Sequence, residues 1–144
     1  MNVDALYAIR KDVFVRAPVE RAWDVFAERL GDWWPLATHS LGGERAETAM
    51  LTPERIYERW ADGAEHTWGR VLVWEPPHRV VFTWEVGEDS GNEVEVVFVP
   101  EGEGTRVELE HRGWESGTRE SWESYDGGWA QVLARFVDSV REPE

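Results

Sequence analysis

Residues 125–140 read YDGGWAQVLARFVDSV, and this stretch decides the fold that the sequence predicts. Its apolar side chains recur at steps of three and four residues, as one face of a helix requires, over about four turns. The stripe consists of Tyr125, Trp129, Val132, Leu133, Phe136, Val137 and Val140. A helix with such a stripe must pack on an apolar surface, and the inner face of a sheet is the only candidate that the chain offers.

Gly127 and Gly128 are unusual inside this helix, because each glycine costs about 1 kcal/mol relative to alanine. We favour the hypothesis that the pair allows the helix to approach a strand closely. The alternative is a helix that begins only at Asp126.

The segments before the helix have the pattern of strands joined by short turns. The first strand is predicted over Ala5–Val15. Six more follow in close succession, over Ala46–Leu51, Arg55–Trp60, His66–Trp74, Arg79–Val86, Glu93–Val99 and Thr105–Trp114. Turns are predicted at Thr52-Pro53, Asp62-Gly63, Pro76-Pro77, Asp89-Ser90-Gly91 and Gly102–Gly104. The arrangement predicts an antiparallel meander in an α+β protein.

Alternation along the strands predicts which side chains face the core. Apolar residues take the even positions over 94–98 and the odd positions over 105–111, which directs His111 inward. Val80, Phe82 and Trp84 are predicted to point inward and Val81 outward. The phase of the strand over 66–74 is ambiguous, so we expect a bulge near Leu72 or Val73.

A helical segment separates the first two strands. Pro18 suits a helix start, because a helix does not need its missing N–H there. Val19, Ala22, Trp23, Phe26 and Leu30 form one apolar face, and Gly31 is predicted to end the helix. The residues 32–35 can form a further turn, and Thr38–Arg45 is predicted to be a loop.

Composition limits the classes of function. The 144 residues include ten tryptophans, no cysteine and a formal net charge of −14. We expect a single domain over 1–144, no thiolate chemistry, and no binding to nucleic acid, which an acidic surface repels. The chain does not open with the basic and then apolar residues of a signal peptide, and no apolar run reaches the roughly 18 residues of a membrane span. We therefore expect a soluble cytoplasmic protein without membrane contact. Homodimer formation stays open.

The order of these elements resembles the START-like (SRPBCC) superfamily, in the branch related to the C-terminal domain of the activator of Hsp90 ATPase. The resemblance covers about residues 11–136 and rests on residues 15–23, Trp33-Trp34-Pro35, Tyr57-Glu58, Asp62-Gly63, 68–72, 74–77, 82–84, 104–107, 110–114 and Gly128-Trp129. It implies a helix-grip fold, with a curved antiparallel sheet wrapped around the long C-terminal helix and two short helices between the first and second strands. Members commonly hold an apolar small molecule between sheet and helix, and some catalyse cyclisation or aromatisation.

A strongly curved sheet around one helix is difficult to fill to normal packing density, so we expect a cavity with aromatic walls. The aromatic side chains predicted to line it are Trp34, Trp60, Trp68, Trp84, Phe98 and Trp129. For each of them, packing in the core without ligand contact is the alternative.

His111 and Glu58 are the polar candidates for ligand binding. His111 could orient a ligand or transfer protons, or it could be a histidine satisfied by a backbone carbonyl or a carboxylate at the rim. Glu58 is in phase with Ile56 and Trp60, and the pKa of a carboxylate facing a tryptophan-lined space is raised unless Arg or His neutralises it. Contact with His111 or Arg70 would make Glu58 a polar anchor; otherwise it is a structural ion-pair member.

The other histidines have weaker assignments. His39 could close over the cavity mouth or lie exposed, while His66 and His78 are predicted to face solvent. Their spacing matches no metal motif, so no metal and no cofactor is expected.

Three functions follow. The first is binding of a small apolar or aromatic molecule between sheet and helix without catalysis, with no catalytic residue assigned. The second is a cyclase-like or dehydratase-like enzyme that uses His111 and Glu58 in the same cavity. The third is a protein-interaction module similar to the Hsp90-activating domain, which would expose a large apolar patch.

Overall fold

The computed structural model describes residues 8–86, 92–113 and 119–141, and of residues 119–124 it describes the backbone alone. The strands are β1 (Ile9–Val15), β2 (Ala46–Leu51), β3 (Arg55–Trp60), β4 (Glu65–Glu75), β5 (Arg79–Trp84), β6 (Asn92–Glu101) and β7 (Gly104–Arg112). The helices are α1 (Val19–Trp23), which continues as a π-helical turn (Asp24–Glu28), α2 (Leu30–Trp33), a 3-10 turn (Gly43–Arg45) and α3 (Arg119–Arg141). The predicted turn at residues 89–91 and Trp114 lie outside the described residues.

All seven strands form one antiparallel sheet in the order β1-β7-β6-β5-β4-β3-β2. The meander predicted from the turns is confirmed, and β1 closes its far edge by pairing with β7, with Val13 opposite Val107. The pairing register shifts three times, between Ala46 and Thr48, between Ile56 and Tyr57, and between Val71 and Val73. The last shift confirms the bulge expected near Leu72 or Val73. Such bulges increase local twist, and the sheet curls into a half-barrel around α3.

The predicted alternation is confirmed along β6 and β7, whose inward residues are buried. It is incomplete in β5, because Val81 is only 3% exposed although it was predicted to face outward. Val81 lies outside the main core cluster. Its strand is flanked on both sides, by Val73 of β4 and Glu95 of β6, and these neighbours cover the outer face at this point.

The helical segment after β1 begins behind Pro18, as predicted, and buries the face formed by Val19, Ala22, Trp23, Phe26 and Leu30. The prediction that Gly31 ends the helix is wrong, because Gly31 lies inside α2. A Cβ atom at this position would lie 2.1 Å from Thr48 Oγ1 and 2.9 Å from Ala49 O. Gly31 is therefore needed for the close approach of α2 to β2.

Helix α3 packs along β1 and α2. The Phe136 ring contacts Phe26 and Trp33, with centroids 5.4 Å apart in both pairs. Both explanations of the glycine pair are wrong: α3 begins before Asp126, and no strand lies near either glycine. Among the described residues outside this stretch of helix, a Cβ at Gly127 would have no neighbour within 4 Å, and one at Gly128 would meet only His39, at 3.8 Å.

Candidate ligand-binding site

A cavity of about 210 Å³ lies between the inner face of the sheet, the N-terminal half of α3 and the loop of residues 38–41, which we call the mouth loop. Among the described residues, its lining consists of Trp34, Thr38, His39, Ser40, Leu41, Trp68, Trp84, Val86, Tyr125, Gly128, Trp129 and Val132. Leu41 is 47% exposed, so the cavity opens to solvent at the mouth loop. We refer to it as the tryptophan pocket.

Four indole rings form the walls of the tryptophan pocket. The Trp34 ring lies 4.9 Å from Trp68 and 5.8 Å from Trp129, and Trp84 lies 5.5 Å from Trp129, all between centroids. The Trp34–Trp129 pair is edge-to-face, a preferred geometry of aromatic pairs, and the other two pairs are tilted. They hold each wall against its neighbours, so the pocket has a preformed shape.

Hydrogen bonds orient three of these four indoles. Trp34 Nε1 donates to His39 O (2.8 Å), Trp68 Nε1 to Glu58 Oε1 (2.6 Å) and Trp129 Nε1 to His111 Nδ1 (3.0 Å). The Nε1 of Trp84 is buried and has no hydrogen-bond partner in the part of the chain that the structure describes.

Glu58 lies behind the pocket wall and is fully buried. Its Oε1 accepts hydrogen bonds from Leu41 N (2.6 Å) and Trp68 Nε1 (2.6 Å), and its Oε2 from Gly42 N (2.9 Å) and Trp60 Nε1 (2.8 Å). Burial alone raises the pKa of Glu58, but these four donors favour the carboxylate more strongly and bring the pKa below its ordinary value of 4.5. The expectation of a raised pKa, which assumed that only Arg or His could neutralise the group, is therefore wrong.

Neither partner proposed for Glu58 is found at its carboxylate. Arg70 is exposed and pairs with Glu85, and His111 bonds Asn92 and Trp129. Glu58 is also not an ion-pair member, because N–H groups of the loop and of two indoles occupy its oxygens. It joins the mouth loop to Trp68 and so positions two sides of the pocket.

His111 faces the core, as predicted, and is fully buried. Its Nδ1 accepts from Trp129, so Nε2 carries the proton and donates to Asn92 Oδ1 at 2.8 Å. Burial lowers the pKa of His111 from 6.5 to about 3, which keeps the imidazole neutral. His111 acts here as a structural partner of Trp129, and the acceptor of its Nε2–H is the side-chain amide oxygen of Asn92 rather than the predicted backbone carbonyl or carboxylate.

Of the residues predicted to bind ligand, Trp34, Trp68, Trp84 and Trp129 line the pocket. The other four do not belong to its described lining. Trp60 stacks under Arg45 and His66, Phe98 packs against Trp23 and Phe26, and Glu58 and His111 lie behind the walls.

The remaining histidines differ in exposure. His39 lines the pocket mouth, and His78 is exposed. The expectation for His66 holds only in part, because the residue is half-buried: its ring stacks on Trp60 at 4.1 Å between centroids, and its Nε2 is buried with no partner among the described residues. The sequence reasoning missed Thr38, Ser40, Leu41, Val86, Tyr125, Gly128 and Val132 as lining residues. Gly128, an unexplained glycine on the buried side of a helix, was the signal that could have indicated them.

Within residues 8–86, 92–113 and 119–141, no cluster of three or more His, Asp or Glu residues is arranged to hold a metal ion. In the same part of the chain, no helix has the length and apolar character needed to span a membrane.

The curled sheet, the gripped helix α3 and the pocket between them define a helix-grip domain. The family profile of Activator of Hsp90 ATPase homolog 1-like proteins matches residues 16–141, and the chain belongs to this family. The resemblance stated from the sequence is confirmed. A search of curated proteins found no match.

Solved structures have the same fold. An anthrahydroquino-gamma-pyrone synthase, determined as a complex, is 37% identical with a TM-score of 0.62, and the alignment covers 91% of this chain and 95% of the synthase. CalU16 from Micromonospora echinospora is 25% identical with a TM-score of 0.62, covering 94% of this chain and 75% of CalU16. The AHSA1-like protein from Aeromonas hydrophila is 19% identical with a TM-score of 0.63, covering 95% and 97%.

Proposed function

We propose that this protein binds one planar aromatic molecule in the tryptophan pocket. The observation that carries the proposal is a preformed cavity of about 210 Å³ walled by four indoles and open at the mouth loop. Apolar walls with few polar groups are typical of small-molecule sites. Aromatic walls favour the binding of planar rings over that of flexible chains, because each aromatic pair contributes about 0.5–1.5 kcal/mol of interaction free energy beyond the area it buries.

The size of the cavity limits the ligand. An apolar cavity of about 150 Å³ is large enough to hold benzene, so about 210 Å³ admits one ring or two fused rings. A larger aromatic molecule would extend past Leu41 into solvent. Bicyclic aromatic compounds are therefore suitable probes.

Titration with 1-naphthol, followed by tryptophan fluorescence and calorimetry, tests the proposal. We expect saturable binding with one site per chain, and weaker binding of lauric acid, whose flexible chain is the non-aromatic control. Native mass spectrometry of freshly expressed protein adds a search for a co-purifying aromatic compound. Failure of 1-naphthol to bind, or equal binding of lauric acid, would contradict the proposal.

A second candidate function is catalysis of ring closure in the same pocket. It is favoured by the 37% identity to a pyrone synthase over nearly the whole chain. In such a reaction a phenol oxygen adds to a ketone carbon, and the phenol proton passes through a base to the ketone oxygen. The hydroxyl group formed then leaves as water together with a proton from the adjacent carbon, which forms the double bond of the new ring. No oxidant or reductant is needed.

The model substrate 1-(2-hydroxyphenyl)butane-1,3-dione tests this candidate, because it closes to 2-methylchromone with loss of one water. Chromone formation, followed by ultraviolet absorbance, is expected to be faster with protein than with buffer. Tight binding without any acceleration would leave binding as the function and argue against catalysis of this closure.

The interaction-module hypothesis has less support among the described residues. The exposed apolar side chains Phe14 and Val99 are separated in the sheet by Arg106, which pairs with both. A charged residue at this point interrupts an apolar patch.

A further inference from the structure

We propose that His39 accepts, through Nε2, a hydrogen bond from a hydroxyl group of the bound aromatic molecule, so that the ligand class is a phenol or an enol. The inference rests on the proposed function, since it concerns a ligand of the tryptophan pocket. It assigns to the mouth loop the polar recognition that the sequence analysis sought at Glu58 and His111.

The main chain of His39 is held on both sides. Its N–H donates to Pro35 O at 2.8 Å, and its carbonyl accepts from Trp34 Nε1 at 2.8 Å. Because Trp34 is itself a wall of the pocket, the imidazole is attached to the same rigid unit that would contact the aromatic ligand.

The contacts of the neighbouring Thr38 favour one tautomer of His39. Thr38 Oγ1 lies 3.4 Å from Pro35 O and 2.7 Å from His39 Nδ1. A hydroxyl group has one hydrogen, so both contacts are hydrogen bonds only if that hydrogen points to Pro35 O and Nδ1–H donates to Oγ1. In this tautomer, Nε2 has a free lone pair and is an acceptor.

Nε2 lies beside Gly128, which also lines the pocket. Among the described residues, and apart from the chain neighbours of Gly128 and the backbone of its own helix, Nε2 and Cδ2 of His39 are the atoms within 4 Å of the place where a Cβ of Gly128 would lie, each at 3.8 Å. The missing side chain at Gly128 leaves room for a ligand beside the acceptor. Ser40, the next residue of the mouth loop, is already engaged, since its Oγ donates to Leu36 O (2.5 Å) and accepts from Gly43 N (2.9 Å).

The test compares two probes of similar shape, 1-naphthol and 1-methylnaphthalene, which differ in the hydroxyl group. The wild-type protein is expected to bind 1-naphthol about fivefold to tenfold more tightly, the size of one net hydrogen bond. In His39→Asn the side chain ends near the position of Nδ1, so the ratio of the two affinities should fall to about one. In His39→Gln an amide oxygen can reach the position of Nε2, and most of the preference should return. His78→Asn, an exposed histidine outside the pocket lining, is the matched control.

Nitrogen-15 spectra of the wild-type imidazole provide a measurement that needs no variant. The Nε2 signal of His39 should be that of an unprotonated ring nitrogen and should shift on addition of 1-naphthol but not of 1-methylnaphthalene. If both probes bind and wild type shows no preference, or His39→Asn keeps it, the inference is wrong and the proposed function stands. If neither probe binds wild type, the proposed function fails and this inference with it.

Discussion

Substitution of Gly128 by leucine should close the tryptophan pocket without unfolding the protein. A Cβ atom at position 128 makes only ordinary contacts, at 3.8 Å from His39, so the backbone need not move. Truncating one buried leucine to alanine opens a cavity of about 150 Å³. The reverse change at the pocket wall therefore removes most of the about 210 Å³ that the ligand needs.

We expect Gly128→Leu to weaken 1-naphthol binding at least about 100-fold, which corresponds to about 2.7 kcal/mol. The matched control is Gly127→Leu, one residue earlier in the same helix, where a Cβ has no neighbour within 4 Å. Each substitution removes a glycine from the helix, so each should raise the free energy of unfolding by as much as about 1 kcal/mol. Isothermal calorimetry with thermal melts separates the two effects. Equal affinity of the two variants for 1-naphthol would refute the assignment of the pocket.

Three further predictions concern stability. Glu58→Gln should lower the free energy of unfolding, measured in urea, by about 3 kcal/mol. The amide oxygen of glutamine can accept from only one pair of donors, so two buried N–H groups lose their partner at a cost of about 1–3 kcal/mol each. The exposed control Glu47→Gln should change the free energy of unfolding little. Since the pKa of Glu58 is lowered, its stabilisation is complete above pH 4.5 and is lost as the pH falls below that value, a loss that Glu58→Gln should not show. The pKa of His111 is lowered to about 3 in the folded protein, so below pH 6.5 the unfolded chain takes up a proton at this residue and the folded chain does not. The free energy of unfolding should therefore fall by about 2 kcal/mol between pH 6.5 and pH 5. Its imidazole should still be neutral by NMR at pH 5, and protonation near pH 6.5 would contradict the buried arrangement. Gly69→Ala should destabilise the fold by about 3 kcal/mol, because its Cβ would lie 1.6 Å from Thr83 O. The control Gly127→Ala should stabilise the fold by about 1 kcal/mol. Equal melting temperatures of the two variants would contradict this prediction.

The sheet could be predicted from the sequence because its signals are local. Turn residues separate the strands, and alternation over β6 and β7 identifies the buried face residue by residue. β2 and β3 have the bounds that the pattern predicts. Gly31 was misassigned because a glycine at a helix end and a glycine under a neighbouring strand look alike in sequence, and only the position of Thr48 distinguishes them.

The polar part of the site could not be predicted in the same way. Alternation correctly directed Glu58 and His111 inward, but it does not say which donors surround them. Two of the four donors to Glu58 are the main-chain N–H groups of Leu41 and Gly42, which have no signature in the side-chain pattern. Neutralisation by N–H groups rather than by a cation is a three-dimensional property.

The shape of the pocket also depends on tertiary contacts that the sequence pattern does not show. Four of the six predicted aromatic side chains line it, whereas Trp60 and Phe98 pack elsewhere although they have the same inward phase. The mouth loop completes the pocket because the main-chain N–H groups of residues 41 and 42 donate hydrogen bonds to Glu58, which holds these residues against the sheet. Whether an inward aromatic side chain meets ligand or core therefore depends on where the loop lies.

The central claim is that an aromatic molecule occupies the space between the four indoles. Indole N–H signals in a proton–nitrogen correlation spectrum test it most directly, because each of the ten tryptophans gives one signal and the pocket contains only some of them. On addition of 1-naphthol, the signals of Trp34, Trp68, Trp84 and Trp129 should shift, while that of Trp23, which packs against Trp74 and Phe98 at a distance from the pocket, should not. Shifts confined to tryptophans outside the pocket, or no shifts at all, would contradict the account.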